Sequence, residues 1–242
     1  MFDRNLMDER GSAERVMKQP IPLPVLLLVL TVTTGLIDAV SVLGLGRVFT
    51  ANMTGNVVFL GFALAGQPGF SRLRSLAALV AFLVGAVIGG RLGARLEGAQ
   101  RRWLFTVAVV ESSLLFAAAL AARGYDGETL APVARLYALI ALTALAMGVR
   151  NATVRRLAVP DLTTTVLTLT LAGLGADSPL AGGSNPRWKR RVASVAAMLG
   201  GAIVGALLVR SVGLAWPLAL IGAVTLLATL AYVAHPAAGE GS

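Results

Sequence analysis

Six long runs of apolar residues divide the chain, and each is long enough for a helix that crosses a bilayer. A spanning helix needs about 20 such residues. Two shorter apolar runs each follow a polar motif and are marginal as spans. The long runs cover residues 22–46, 73–92, 103–122, 132–149, 190–210 and 213–234, and the short ones cover 52–66 and 163–175. This pattern predicts an all-α polytopic membrane protein with six transmembrane helices and two short, half-spanning helices.

Composition agrees with a membrane protein. Of the 242 residues, 56% are hydrophobic and 14% are charged, whereas soluble domains carry about 25% charged residues. The net charge of +9 would suggest nucleic acid binding in a soluble protein. Here the basic residues cluster between apolar runs, as in "RRW" and "RWKRR". Cytoplasmic loops and anionic headgroups explain that placement better, so we expect the lipid bilayer, and no nucleic acid, as a partner.

The sequence has no catalytic constellation. It contains no cysteine and one histidine, His235, in the terminal tail. Disulfides and Cys/His metal clusters are therefore excluded, and a phosphate-binding Gly-Lys-Ser/Thr loop is missing. We expect no enzyme, no metal and no cofactor. The remaining enzymatic alternative is an intramembrane aspartyl hydrolase that pairs Asp38 with Glu111, which no sequence feature supports.

The first polar motif has a second version in the other half of the chain. "GLIDAVSV" (35–42) aligns with "GVRNATVR" (148–155), and "ANMTGNVV" (51–58) aligns with "PDLTTTVL" (160–167). These alignments pair Asp38 with Asn151, Asn52 with Asp161, Thr54 with Thr163, and Asn56 with Thr165. The collinear matches predict an internal duplication. The repeats cover 21–122 and 131–234, with a connecting loop at 123–130 and tails at 1–20 and 235–242.

Loop charge predicts how the two halves are oriented. If the short runs do not cross, each half has three spans and the halves are inverted. With the N-terminus inside, six spans place 15 Lys and Arg inside and 6 outside, whereas eight spans place 12 inside and 9 outside. Since inside loops carry an excess of Lys and Arg, six spans, an inverted repeat and two cytoplasmic termini are favoured.

The two polar motifs predict a ligand site between inverted halves. Each motif precedes a short helix, and the N-termini of two half-helices can line a site at the middle of the membrane. The predicted substrate-binding residues are Asp38, Asn52, Thr54, Asn56, Asn151, Asp161, Thr163 and Thr165. The alternative is that these side chains only satisfy irregular backbone, with Thr54 or Thr163 capping its short helix.

Two acidic residues, Asp38 and Glu111, lie deep within apolar runs. An ionisable group at that depth is costly and faces the interior of the protein. Proton or cation coupling is the functional interpretation of both residues, and a packing role is the alternative, favoured for Glu111. Arg150, next to Asn151, is interpreted as an ordinary inside charge, with an anion contact as the alternative.

Small residues recur every four positions in two of the predicted helices. Such stripes let helix backbones approach closely. We expect packing between the two halves, with homodimerisation as a second use. The stripes are Gly85, Gly89 and Gly93, which align with Ala197, Gly201 and Gly205.

The blocks "GLIDAVSVLGLGRVFTANMTGNVVFLG" and "GVRNATVRRLAVPDLTTTVLTLTLAGL" resemble the YoaK-like bacterial integral membrane proteins of unknown function. The resemblance covers about residues 22–234 and implies a six-spanning protein of the bacterial inner membrane, without an established substrate. It leads us to expect Gln where this chain has Arg150. From the duplication and the buried polar groups we expect a secondary transporter or permease for a small solute. The alternative is a non-transporting scaffold or sensor whose polar motifs only cap broken helices.

Overall fold

The computed structural model describes residues 23–159 and 167–235. These ranges contain eight α-helices and no strand. The helices are α1 (Leu23–Gly44), α2 (Met53–Leu64), α3 (Arg72–Arg95), α4 (Gln100–Ala121), α5 (Val133–Leu157), α6 (Leu167–Ala176), α7 (Trp188–Val212) and α8 (Ala215–Ala234). Six are long and apolar enough to cross a membrane, and α2 and α6 are shorter apolar helices. The predicted all-α class with six spanning and two short helices is confirmed.

Helix α5 continues to Leu157, beyond the predicted end at 149, and two polar side chains in this extension bond to carbonyl oxygens one turn earlier in the same helix. Asn151 donates to the carbonyl oxygen of Met147 at 2.8 Å, and Thr153 donates to that of Val149 at 3.0 Å. Two arginines occupy the last turn, where positive charge complements the helix dipole. The longer helix places Arg150 inside the bundle, so it does not count among the loop charges.

The chain segment that contains α2 leaves and returns on the same face of the bundle. A Cβ atom added at Gly46 would lie 2.8 Å from the guanidinium of Arg74, and one added at Gly69 would lie 2.8 Å from that of Arg47. The end of α1 and the start of α3 are therefore neighbours, and α2 does not cross to the other side. We call this side the Gly44 face.

The loop between α4 and α5 also lies on the Gly44 face. The hydroxyl of Tyr125 donates to the carbonyl oxygen of Gly44 at 2.9 Å, and Gly127 packs on the same residue. Burial raises the pKa of Tyr125 to about 12, so this hydroxyl remains a donor at physiological pH. Leu214, between α7 and α8, also contacts Gly44.

The opposite side, which we call the Trp103 face, joins the other helix ends. Arg101 at the start of α4 donates to the carbonyl oxygen of His235 at 2.7 Å. Arg156, near the end of α5, pairs with Glu97 at 2.9 Å and lies over the ring of Trp103. The six long helices therefore alternate in direction, and α1 and α5 start on opposite faces. The helices therefore have the directions predicted for six spans, whereas the internal duplication stays a prediction.

Close helix contacts at glycine join the two halves of the chain. On α3, Gly85 lies against the backbone of Leu145 and Gly89 against that of Val149, both on α5. On α7, Gly201 lies against the backbone of Val32 and Gly205 against that of Leu36, both on α1. Glycines on α5 and α1 make the corresponding contacts in the other direction: Gly148 lies against the carbonyl of Phe82, and Gly35 lies against that of Met198. The halves are thus interleaved, because each parallel helix pair takes one helix from each half.

These contacts correct the predicted register of the glycine stripes. The sequence alignment paired Gly89 with Gly201, but Gly85 occupies the place on α3 that Gly201 occupies on α7. The alignment was ambiguous because small residues recur every four positions. Shifting one stripe by four residues, about one helical turn, still aligns glycine with glycine. Gly93 meets the side chains of Arg156 and Trp103 instead of a backbone.

We predict that leucine at Gly85 or Gly201 lowers stability, whereas leucine at Gly90 or Gly200 does not. A Cβ atom at either stripe position would overlap a backbone carbonyl, and nothing lies within 4 Å at the two control positions. Overpacking costs about 1–3 kcal/mol, equivalent to roughly 2–12 °C in melting temperature for a chain of this size. Tryptophan fluorescence during heating measures the difference. Equal melting of G85L, G201L, G90L and G200L would contradict close packing.

We predict that the Gly44 face is extracytoplasmic and the Trp103 face cytoplasmic, because the larger basic excess lies on the Trp103 face. In this cysteine-free chain, a cysteine at the exposed Glu128 should react with an impermeant maleimide from outside whole cells. A cysteine at the exposed Gln100 should react only after the membrane is opened. The reverse labelling pattern would refute the orientation.

Candidate functional site

The centre of the bundle holds a buried ion pair between Arg150 on α5 and Glu111 on α4. Only 1% of Arg150 and 2% of Glu111 is exposed. Nε of Arg150 donates to Oε1 of Glu111 at 2.8 Å, and Nη2 donates to the same oxygen. The pair therefore connects a helix from each half of the chain.

Helices α1 and α8 supply the remaining acceptors of Arg150. Nη1 donates to Oγ1 of Thr33 at 2.8 Å, to Oγ1 of Thr34 at 3.2 Å and to the Leu30 carbonyl at 3.2 Å. Nη2 donates to Oγ1 of Thr225 at 2.8 Å. Both α1 hydroxyls donate their own protons to the Leu30 carbonyl, which leaves their lone pairs for the guanidinium. Every guanidinium nitrogen is thus bonded.

The arrangement follows from the cost of placing a charge inside a membrane protein. A lone buried charge is strongly destabilising, and a pair is tolerated only when its other hydrogen bonds are satisfied. Arg150 meets that condition through α1, α4 and α8 together. The four helices are therefore fixed at one depth relative to each other.

A small cavity of about 20 Å³ lies beside the pair, which is room for about one water molecule. Arg150, Glu111, Thr153, Thr225 and Thr229 line it together with apolar side chains. The apolar lining comes from the parts of α1, α4 and α5 nearest the Trp103 face, and it includes Leu26, Leu104 and Leu157. The cavity thus extends from the pair toward that face.

A second polar contact joins α1 to the start of α2, nearer the Gly44 face. Nδ2 of Asn52 donates to Oδ2 of Asp38, which is 7% exposed. Oδ1 of Asp38 is buried and has no hydrogen-bond partner among residues 23–159 and 167–235. Asn52 is the N-cap residue of α2 but makes no side-chain capping bond, because its amide binds the carboxylate of α1 instead.

Two other residues of the first motif have different positions from those predicted. Asn56 is fully buried and binds both backbone groups of Phe49, donating to its oxygen at 2.5 Å and accepting from its nitrogen at 2.9 Å. It closes the loop before α2 and is not directed at a ligand. Thr54 is exposed and lies inside α2, which begins at Met53. The alternative in which Thr54 caps α2 is wrong, since Asn52 holds the N-cap position two residues earlier.

The structure separates Asp38 from Asn151. Arg150 is level with Leu30 to Thr34 on α1; Asp38 follows toward the Gly44 face, and Asn151 follows toward the Trp103 face. Asp38 and Glu111 do not pair, because their contacts go to Asn52 and Arg150. Asp161, Thr163 and Thr165 lie outside the described residues, so convergence of both motifs stays a prediction. No cluster of three metal-binding acidic or histidine side chains occurs within the described ranges.

Sequence reasoning missed the partner of Glu111 and the role of three threonines. Arg150 was interpreted as an ordinary inside charge at a helix end, because the apolar run ends at 149. One signal was available: Arg150 and Glu111 are opposite charges near or within separate apolar runs. Such charges can satisfy each other only by pairing. Thr33, Thr34 and Thr225 carry no signal that distinguishes them from helix-packing threonines.

These features define a polytopic helical membrane protein with a charged pair in its core. The family model "Protein of unknown function (DUF1275)" matches residues 26–231, and the chain belongs to this family. It is 35% identical over 153 residues to the UPF0700 transmembrane protein YoaK of Bacillus subtilis (strain 168), an alignment that covers 63% of this chain and 65% of that protein. No solved structure matches. The resemblance drawn from the two sequence blocks is confirmed.

We predict that the pair matters to stability as a unit. Removing one partner of a buried pair costs about 3–5 kcal/mol, whereas replacing both with apolar residues is often neutral. R150M and E111L should each unfold at much lower denaturant, and the double variant should recover most of the loss. The exposed pair of Arg156 with Glu97 is the control, because E97Q should change stability by about 1 kcal/mol or less. Additive losses in the double variant would contradict a coupled pair.

Proposed function

We propose that this multi-pass protein of the bacterial inner membrane is a secondary transporter or permease for a small solute. The observation that carries the proposal is the Arg150–Glu111 pair, buried between helices of both halves. Charged residues inside membranes are costly, and they mark substrate and ion pathways. A protein that needed only a stable bundle would be as stable with apolar residues at both positions.

The position of the pair supports the proposal. Transporters with inverted halves bind substrate near the middle of the membrane, at the contact between the halves, and expose it by rocking one half against the other. Here the pair contacts α1 and α4 of the first half and α5 and α8 of the second. The opposite directions of α1 and α5 are those that an inverted duplication requires.

In this proposal Asp38 is the residue that couples transport to a proton or cation. Its carboxylate is buried between α1 and the N-terminus of α2, with one oxygen bonded and the other unbonded in the described part of the chain. A buried carboxylate in that condition is stabilised when it takes up a proton or a cation. Asn52 would then transmit the change in charge to α2.

A non-transporting scaffold or sensor is the second candidate. The close backbone contacts at Gly85 and Gly201 favour it, because they hold the halves together tightly. The bonds of Asn56 to Phe49 favour it too, since they are purely structural. Under this candidate the ion pair only fixes the depth of four helices.

Solute-evoked signals from proteoliposomes distinguish the two candidates. Vesicles with a trapped pH dye, adsorbed on a capacitive electrode, report both electrogenic and electroneutral uptake from a panel of amino acids, short carboxylates, inorganic ions and sugars. A transporter should respond to one solute class. E111Q and D38N should lower the response at least tenfold while remaining folded, and E97Q should keep it. If the wild-type protein gives no signal with any solute of the panel, the scaffold is favoured.

A further inference from the structure

We propose that the Arg150–Glu111 pair is a binding site for a small monovalent anion, such as formate or nitrate. The carboxylate of Glu111 occupies the anion position, and exchange requires Glu111 to take up a proton. The proposal rests on the transport function above and names its substrate class.

The guanidinium of Arg150 is held in place without the help of Glu111. Nη1 is bonded to Thr33, Thr34 and the Leu30 carbonyl, and Nη2 is bonded to Thr225. When Glu111 leaves, these bonds keep the Nε and Nη2 edge in position. That edge is the one arginine uses to bind carboxylate and other planar oxyanions with two parallel hydrogen bonds.

Glu111 does not bind this edge of the guanidinium with two parallel hydrogen bonds. Both donors, Nε and Nη2, bind the single oxygen Oε1, and Oε2 takes no part in the contact with Arg150. A free anion with two oxygens could accept one hydrogen bond from each donor. Glu111 therefore occupies the anion position without making the bidentate contact that this edge allows.

The cavity beside the pair is the space into which the Glu111 carboxyl group moves when an anion takes its place on Arg150. Its volume of about 20 Å³ accepts a displaced carboxyl group or one water molecule. It extends to Leu104 and Leu157, toward the Trp103 face. The ligand takes the place of a carboxylate group among mostly apolar walls, so the predicted class is small planar oxyanions such as formate and nitrate.

Charge balance couples the anion to a proton. Arg150 stays charged at any accessible pH, and an uncompensated charge in this core is strongly unfavourable. Glu111 can leave Arg150 only when its carboxylate gains a proton and an anion replaces it, which leaves the net charge of the site unchanged. The facing side chains are Leu30, Thr33 and Thr34 of α1 and Thr225 and Thr229 of α8. None of these titrates, so binding of one anion at this site is accompanied by one proton on Glu111, separately from the coupling role of Asp38.

The test is thermal unfolding of the purified full-length protein in sodium formate or sodium nitrate, with sodium gluconate at equal ionic strength as the reference. For the wild type we expect the anion to raise the melting temperature by several degrees at pH 5, with an apparent affinity at least tenfold weaker at pH 8. E111Q mimics the protonated side chain, so its response should be independent of pH within about twofold. R150Q should not respond, and E97Q should match the wild type.

Several results would overturn the proposal. One is an E111Q protein that melts at the same temperature in formate, nitrate and gluconate. Another is a wild-type protein whose response to the anion is equal at pH 5 and pH 8. A third is an R150Q protein that still responds to the anion. If E111Q does not fold, the wild-type pH comparison decides alone. Anion-dependent stabilisation without uptake into vesicles supports the site but refutes transport. Uptake of a neutral solute without any anion effect on melting overturns the site and leaves transport standing.

Discussion

An arginine in the interior of a membrane protein cannot lose its charge, so the surrounding helices must supply all of its hydrogen bonds. Arg150 obtains them from α1, α4 and α8 and lies itself on α5, the fourth helix of the group. Each of these contacts fixes the depth of one helix relative to another. The apolar core above and below the pair could pack in several registers, because leucine, valine and alanine tolerate sliding by one turn. The guanidinium does not tolerate it, since one turn would remove its acceptors.

The polar core and the glycine contacts use different sides of the same helices. On α1, Val32 and Leu36 face α7, whereas Leu30 and Thr34 face Arg150. On α5, Val149 faces α3, and the next residue, Arg150, turns toward α4. The 3.6-residue period of the helix makes this division possible. As a result α1 and α5 are the most buried of the spanning helices, while α3 and α7 cover them and present large apolar side chains to lipid.

Much of the architecture was predictable because apolar length alone identifies a spanning helix. The details that failed share one physical cause, which is that local pattern does not reveal a tertiary partner. The predicted span ended at 149 and Arg150 was interpreted as an ordinary inside charge, but the helix continues to Leu157 and Arg150 binds Glu111 of another helix. Asn52 was correctly placed beside a helix start, yet its amide binds Asp38 of another helix. The glycine stripe slipped by one turn because its own repeat contains no information on register.

The two polar centres differ in how completely they are satisfied, and this difference bears on motion. Arg150 has every nitrogen bonded, whereas Asp38 keeps one buried oxygen without a partner in the described part of the chain. Helix α2 meets that carboxylate through Asn52, and it is bound to its own preceding loop by Asn56 and by the stacking of Phe49 on Phe59 at 5.6 Å. Loop and short helix therefore form one unit. Because the bond from Asn52 favours the ionised carboxylate, the charge on Asp38 and the docking of this unit are thermodynamically linked. Any process that neutralises Asp38 weakens the hold of α1 on α2.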